Sequence, residues 1–132
     1  MKKNKNIDYT HKVTLDGLVK RATEKAELAK TPINIYVPSL GGVIEFERPK
    51  PFEVDELIEQ MSSGDISNRE ANAILIYNSC SMLQDSSLHD ELGVKDPIKV
   101  VEKIFTTAEI GEIGDKLYSH DVVEGEIEVV KN

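Results

Sequence analysis

Residues 67–80 read SNREANAILIYNSC, and this stretch decides the fold. Ser67 and Glu70 have the spacing of a capping box, in which the serine side chain accepts from an amide and the glutamate reaches back to the cap. Five apolar residues follow one another from Ala73 to Tyr77, and such a run cannot lie on one stripe of a helix. The letters ILIY alone would also suit a strand, but the cap and the length predict a central helix with contacts on several sides.

Two short alternating segments before this helix predict a β-hairpin. Residues 33–37 read INIYV, with apolar side chains at every second position, and residues 43–47 read VIEFE, with glutamates between apolar residues. The loop between them contains Gly41 and Gly42, which is typical of a hairpin turn. A phosphate-binding loop would need a helix directly after the glycines, and here a strand is predicted. Because an isolated hairpin is marginal in water, we expect it to pack on another element.

Two amphipathic helices are predicted on either side of the hairpin. Thr14 is the predicted N-cap of the first, which ends at Thr31 because a residue before proline avoids the helical region. Its apolar stripe consists of Leu15, Leu18, Val19, Ala22, Ala26 and Ala29. The second helix is predicted over residues 52–61 from apolar residues at helical intervals. These residues are Phe52, Leu57, Ile58 and Met61.

Two more helices are predicted after the central one. Asp96 and Pro97 indicate an N-cap followed by proline at the first helical position. Thr106 and Glu109 have the spacing of a second capping box, which opens a helix with one apolar face. That face consists of Ile110, Ile113, Leu117 and Tyr118.

These elements predict an α+β fold, in which an N-terminal helix and a β-hairpin are followed by a mostly helical bundle of about four helices. We expect a single α+β domain over residues 13–119, because a chain of this length suits one ordinary domain. Residues 1–12 contain four lysines and one aspartate, and they are predicted to form a flexible basic arm. Residues 120–132 are predicted to be an acidic tail that is partly ordered.

The chain of 132 residues is acidic, with 24 acidic against 16 basic residues and a net charge of −8. This balance argues against nucleic acid as a partner, because phosphate binding draws most of its affinity from Lys and Arg. The longest apolar run, residues 73–77, is far too short to cross a membrane. Cys80 is the single cysteine, which excludes an intramolecular disulfide, and no signal peptide is visible. We therefore expect a soluble cytoplasmic protein.

The residues that could carry chemistry do not form a recognisable site. The three histidines are His11, His89 and His120. None has the spacing of a zinc motif, and His89, Asp90 and Glu91 point apart if they lie on a helix. Cys80 is predicted to lie within the apolar central helix as a small buried side chain, the alternative being a nucleophile with a distant histidine as base. The GxxG of residues 111–114 is too acidic for an RNA-clamping loop. We predict no catalytic, cofactor-binding or metal-binding residue, and no enzymatic activity.

The second half of the chain resembles a known family. An apolar helix is followed by two short motif-like segments, a short helix that ends in an aromatic residue, and a new helix start. The residues that carry this pattern are Leu83, Asp85, Leu88, Gly93, Val94, Asp96, Pro97, Phe105, Glu109 and Ile110. Residues 74–117 thereby resemble the XkdN-like tail assembly chaperones of long-tailed bacteriophages and of their defective prophage relatives. Members often have a proline where this chain has Met82.

The resemblance implies a non-catalytic protein of the bacterial host cytoplasm that binds the phage tape measure protein, keeps it soluble and assists assembly of the tail tube. The tail tube protein is a second expected partner, and neither nucleic acid nor a membrane is expected. The family has no catalytic or cofactor-binding residues to transfer. The alternative is a minor structural protein of the phage tail or a head-completion protein. An acidic regulator that mimics the charge of DNA is less favoured, because the central helix is so apolar.

Overall fold

The computed structural model describes residues 7–119. The elements are α1 (Leu15–Ala29), β1 (Ile33–Val37), β2 (Gly42–Phe46), α2 (Pro51–Ser63), α3 (Asn68–Asn78), α4 (Ser86–Leu92), α5 (Lys99–Ile104) and α6 (Thr107–Tyr118), with 3₁₀ turns at Pro38–Leu40 and Ser81–Gln84. A helix, an antiparallel hairpin and then several helices confirm the predicted α+β fold. The predicted tail, residues 120–132, and residues 1–6 of the predicted arm lie outside the described residues.

The hairpin packs one of its two faces into the core. Its strands are antiparallel, and Ile33 lies opposite Phe46. Ile35, Val37 and Phe46 are buried, so the alternation in the sequence corresponds to an inner and an outer face. Gly41 closes the turn with a φ of 67°, a left-handed conformation that glycine adopts without steric cost. Gly42 is the first residue of β2, so a strand follows Gly41 directly, as predicted for a plain turn.

Helix α3 lies at the centre of the core. Its capping box is present: Ser67 Oγ accepts from the Glu70 amide at 3.1 Å, and the Glu70 carboxylate accepts from the Ser67 amide at 3.3 Å. Ala71, Leu75 and Ile76 are completely buried, and the helix packs against α2, α5 and α6. The prediction of a central helix with contacts on several sides is therefore confirmed.

The hairpin is joined to the helices at both of its ends. Where β2 ends, the Glu47 amide donates to the carbonyl oxygen of Ser79, the C-cap of α3, at 2.7 Å. At the turn, Ser39 Oγ donates to Glu109 Oε2 in the first turn of α6. The other carboxylate oxygen of Glu109 accepts from the Thr106 amide at 2.8 Å, which completes the predicted capping box. Glu109 therefore holds the N-terminus of α6 and the hairpin turn together.

This double role should make part of the stability depend on pH. The Ser39 hydroxyl, and after it the Thr106 amide, lower the pKa of Glu109 below its ordinary value of 4.5. A carboxyl whose pKa is lowered by folding contributes stability above its unfolded pKa, and this contribution disappears as the pH falls through the folded pKa. We expect the urea midpoint to fall more steeply from about pH 6 to about pH 3 in the native chain than in the Glu109→Gln variant.

Circular dichroism during urea titration at both pH values measures this difference. The matched control is Glu112→Gln, which removes one charge from an exposed position on the same helix. This control should follow the native chain at both pH values. If Glu109→Gln loses as much stability on acidification as the native chain, the hydrogen bonds to Glu109 do not contribute as described.

Helix α2 buries only part of its predicted apolar face: Leu57 is buried and Met61 is partly buried, but Phe52 and Ile58 are exposed. Val54 and Leu57 are buried, whereas Phe52 is 63% exposed and Ile58 is 45% exposed. Val54 and Leu57 are three residues apart, and this spacing places two residues on one helix face as well as the spacing on which the prediction was based. Because several stripes of α2 satisfy the same periodicity, packing against α3 selects the one that is buried.

The segment after α3 also differs in detail from the expectation. An additional short helix, α4, begins after Asp85, whose side chain accepts from the Ser87 amide at 2.9 Å. Asp96 is not the N-cap of α5, which begins at Lys99. Its Oδ1 instead accepts from the Ile98 amide at 3.2 Å, so it caps a tight turn that leads into the helix. The predicted helix start was therefore two residues too early, because the first turn is closed by bonds over three residues.

Candidate partner-binding surface

In the described part of the chain, the side chains of Cys80 and His89 contribute to packing and hydrogen bonding within the fold. Cys80 is 1% exposed and belongs to the core cluster, in agreement with the predicted buried side chain. Its predicted place within the central helix is wrong, because α3 ends at Asn78 and Cys80 has an extended backbone before the next 3₁₀ turn. His89 Nε2 donates to the Leu83 carbonyl oxygen at 2.7 Å, and the ring lies 5.9 Å from that of Tyr77. The imidazole therefore joins α4 to the preceding 3₁₀ turn.

The remaining candidates for chemistry are not brought together. His11 is exposed, and His120 lies outside the described residues. Among residues 7–119, no group of three His, Cys, Asp or Glu side chains is arranged to hold a metal ion. Gly111 and Gly114 lie within α6, so their GxxG spacing does not form a loop.

The most distinctive surface is the apolar stripe of α1. Within Leu15–Ala29 no residue is buried. Leu15 is 77% exposed, Leu18 59% and Val19 60%. Ala22, Ala26 and Ala29 are exposed as well. The predicted helix is therefore present, but its apolar side faces solvent. We refer to Leu15, Leu18, Val19, Ala22 and Ala26 as the α1 stripe.

Helix α1 meets the rest of the molecule through a different side. Leu28 is half-buried and lines a small cavity of about 110 Å³ together with Pro49 and Pro51. At 3.6 residues per turn, Leu28 lies on the other side of the helix from Leu15 and Val19. The stripe can therefore be covered by a partner while the contact near Leu28 stays in place.

The start of α1 is fixed by its cap. Thr14 Oγ1 accepts from the Gly17 amide at 3.1 Å, as predicted for the N-cap. Val13, directly before the cap, is 68% exposed and extends the apolar surface beyond the helix. A Cβ atom built on Gly17 would lie 3.3 Å from Val13 Cγ1, so Val13 folds back against the first turn. The apolar surface thus begins before the helix and continues along it.

The outer face of the hairpin has a second, smaller apolar site. Tyr36 and Val43 are cross-strand partners, and each is 60% exposed. Leu40, in the turn, is 51% exposed. Alternation in the sequence indicates which side chains of a strand share a face, but both faces of INIYV carry apolar or aromatic residues. The hairpin site was therefore not singled out by sequence reasoning.

In residues 7–119, no helix combines the length and the apolar character that spanning a bilayer requires. Comparison with known protein families, with curated proteins and with solved structures finds no match to this chain. Function is therefore inferred from the exposed surface and from the sequence pattern.

Proposed function

We propose that this chain is a non-catalytic tail assembly chaperone of a phage or prophage, which binds the tape measure protein and assists assembly of the tail tube in the cytoplasm of the bacterial host. The observation that carries the proposal is the α1 stripe. It is an apolar helix face on which no residue is buried. The resemblance of residues 74–117 to the XkdN-like family supplies the identity of the partner.

An exposed helix stripe is suited to a helical partner. Burying a leucine or valine contributes roughly 1.5–3 kcal/mol relative to leaving it in water. Residues at positions i, i+3, i+4 and i+7 are the usual anchors when an amphipathic helix lies against an apolar surface. Leu15, Leu18, Val19 and Ala22 have this spacing. A tape measure protein is a long amphipathic helical chain whose apolar face must be covered until assembly, so the two surfaces are complementary.

The charge of the chain suits the same role. A net charge of −8 keeps a protein dispersed by mutual repulsion, even when its partner is prone to aggregate. Lys20 and Glu24 lie on the side of α1 opposite the stripe, so the stripe can be covered without burying them. The complex would therefore keep a polar, soluble surface.

Co-expression with the tape measure protein of the same phage or prophage tests this proposal. We expect the native chain to keep the tape measure protein in the soluble fraction and to co-purify with it. The variant Leu15→Gln, Leu18→Gln, Val19→Gln should reduce the recovered complex by at least about tenfold, because it removes three apolar anchors. All three positions are exposed, so the variant should fold like the native chain.

The matched control changes the polar side of the same helix. Lys20→Gln with Glu24→Gln leaves both the net charge and the α1 stripe unchanged, and it should recover as much complex as the native chain. If the tape measure protein remains insoluble with the native chain, the proposal is wrong. If the control loses binding as strongly as the stripe variant, the stripe is not the contact surface.

Mass spectrometry of finished particles separates a chaperone from a structural component. A chaperone leaves the complex when the tube is assembled, so its peptides should be absent from purified particles. A fixed copy number in the particle would instead identify a minor structural protein.

A further inference from the structure

Charge is distributed unevenly along this acidic chain. Residues 1–30 contain 8 basic and 4 acidic residues, a net charge of +4. Residues 31–132 contain 8 basic and 20 acidic residues, a net charge of −12. Helix α1 and its apolar stripe belong to the first of these two parts. The exposed apolar surface of α1 therefore lies in the part of the chain whose charge is opposite in sign to that of the remainder.

Two basic residues lie directly beside the α1 stripe. Arg21 and Lys25 follow Leu18 by three and seven residues, and at 3.6 residues per turn all three lie in one row along the helix. Arg21 and Lys25 are both exposed. Neither forms an ion pair within residues 7–119. We call these two residues the basic border of the stripe.

The basic border is unfavourable in the chain by itself. Its two residues are four positions apart, and like charges at this spacing destabilise a helix. Carboxylates placed along the border would remove the repulsion and accept charge-assisted hydrogen bonds, for which the planar fork of the Arg21 guanidinium is well suited. The border therefore favours acidic groups in whatever covers the stripe.

The opposite side of the stripe has a different charge. Asp16 and Thr23 lie there, together with Glu27, whose carboxylate is 3.8 Å from the Lys30 ammonium group. A partner helix with carboxylates along one of its sides is therefore favoured in one direction only, with these carboxylates over the basic border. Complementary charges at the edge of a contact set its orientation more than its affinity.

We infer that the segment which covers the α1 stripe is an amphipathic helix with acidic residues along one side of its apolar face. Its apolar residues contact the stripe, and its carboxylates lie over the basic border. The inference rests on the proposed function for the role of the stripe, and it adds the chemistry by which the contact segment of the tape measure protein is recognised. Residues 31–132 repel such a helix, so their charge directs it towards α1.

Two synthetic peptides test the inference without the tape measure protein. Each has about 20 residues, enough to form a helix, and the same leucines at helical spacing. Along one side of the leucines, one peptide has glutamates and the other has glutamines. Fluorescence anisotropy of the labelled peptides measures their affinity for the full chain. We expect the glutamate peptide to bind at least about fivefold more tightly at low salt. This preference should shrink in about 0.5 M NaCl, because salt screens exposed charges.

Two variants with the same net charge locate the preference. Arg21→Gln with Lys25→Gln should abolish it, because this variant neutralises the basic border and leaves the stripe intact. The matched control, Lys95→Gln with Lys103→Gln, removes two exposed positive charges outside α1 and should keep the preference. Equal or undetectable binding of the two peptides to the native chain would overturn the inference. So would a preference that persists in the first variant or disappears in the control.

An anionic membrane surface is the other target that a basic amphipathic helix suits. Sedimentation with phosphatidylserine vesicles tests it. We expect the native chain to stay in the supernatant, because the acidic remainder of the chain is repelled by the lipid head groups. Sedimentation of the native chain that is lost when the basic border is neutralised would assign the border to a membrane and overturn the inference.

The peptides also separate a failure of this inference from a failure of the proposed function. If the native chain keeps the tape measure protein soluble but binds both peptides equally, the proposed function stands and the inference is wrong. If the native chain prefers the glutamate peptide but leaves the tape measure protein insoluble, the inference stands for the acidic helix of another protein and the proposed function is wrong.

Discussion

Leu75→Ala should lower the free energy of unfolding by about 2–5 kcal/mol, the range measured for truncating a fully buried leucine. Leu75 has no exposed surface and lies on α3, which packs against α2, α5 and α6. A cavity at this position removes contacts from several elements at once, and the surrounding helices cannot all move inward to close it. Urea unfolding followed by circular dichroism measures the loss.

The matched control makes the same substitution on the α1 stripe. Leu15→Ala replaces a side chain that is 77% exposed, so the free energy of unfolding should change by less than about 0.5 kcal/mol. Equal losses in the two variants would mean that α1 packs on the core in solution. The two variants also distinguish a residue that stabilises the fold from one that serves the proposed binding function. Leu15→Ala should weaken the proposed partner binding in a chain that is still stable.

Gly114→Ala should destabilise the protein by about 1–3 kcal/mol, although alanine is the better helix former. Gly114 lies on the side of α6 that packs against Asn72 of α3. A Cβ atom built on it would lie 2.7 Å from both Cγ and Oδ1 of Asn72, and 3.0 Å from its Cβ. Asn72 is 6% exposed, so its side chain has little room to rotate away. The helices must separate locally to admit the methyl group.

Gly111→Ala is the control on the same helix, and its effect should have the opposite sign. No atom lies within 4 Å of a Cβ built at that position. The substitution should therefore stabilise the protein by up to about 1 kcal/mol, the difference in helix propensity between alanine and glycine. The urea midpoints of the two variants show whether the two substitutions change stability in opposite directions. A stabilised Gly114→Ala variant would show that α3 and α6 are farther apart in solution.

Candidate functional features were predictable from the sequence to different degrees. The amphipathic stripe of α1 can be read from the helical spacing of Leu15, Leu18 and Val19. The same spacing, however, is expected of a helix that packs on a core. Only the structure shows that Leu28, on the other side, makes the contact.

The sequence by itself determined the features that depend on neighbouring residues. Both capping boxes, the N-cap at Thr14, the hairpin and the central position of α3 follow from spacings of two to four residues. The hydrogen bonds and periodicities involved lie within one turn or one strand pair. For that reason the order of the elements and the α+β fold could be predicted.

Tertiary structure alone decided which apolar faces are buried and which are exposed. Helical periodicity alone allows either Phe52 or Val54 to face the core, yet only Val54 is buried. Gly114 is required because of Asn72, more than forty positions away in the chain. Burial is a property of surfaces that meet after folding, whereas periodicity records only which residues share a face. The exposed α1 stripe is therefore a fact of the tertiary structure, and with it the surface on which the proposed function depends.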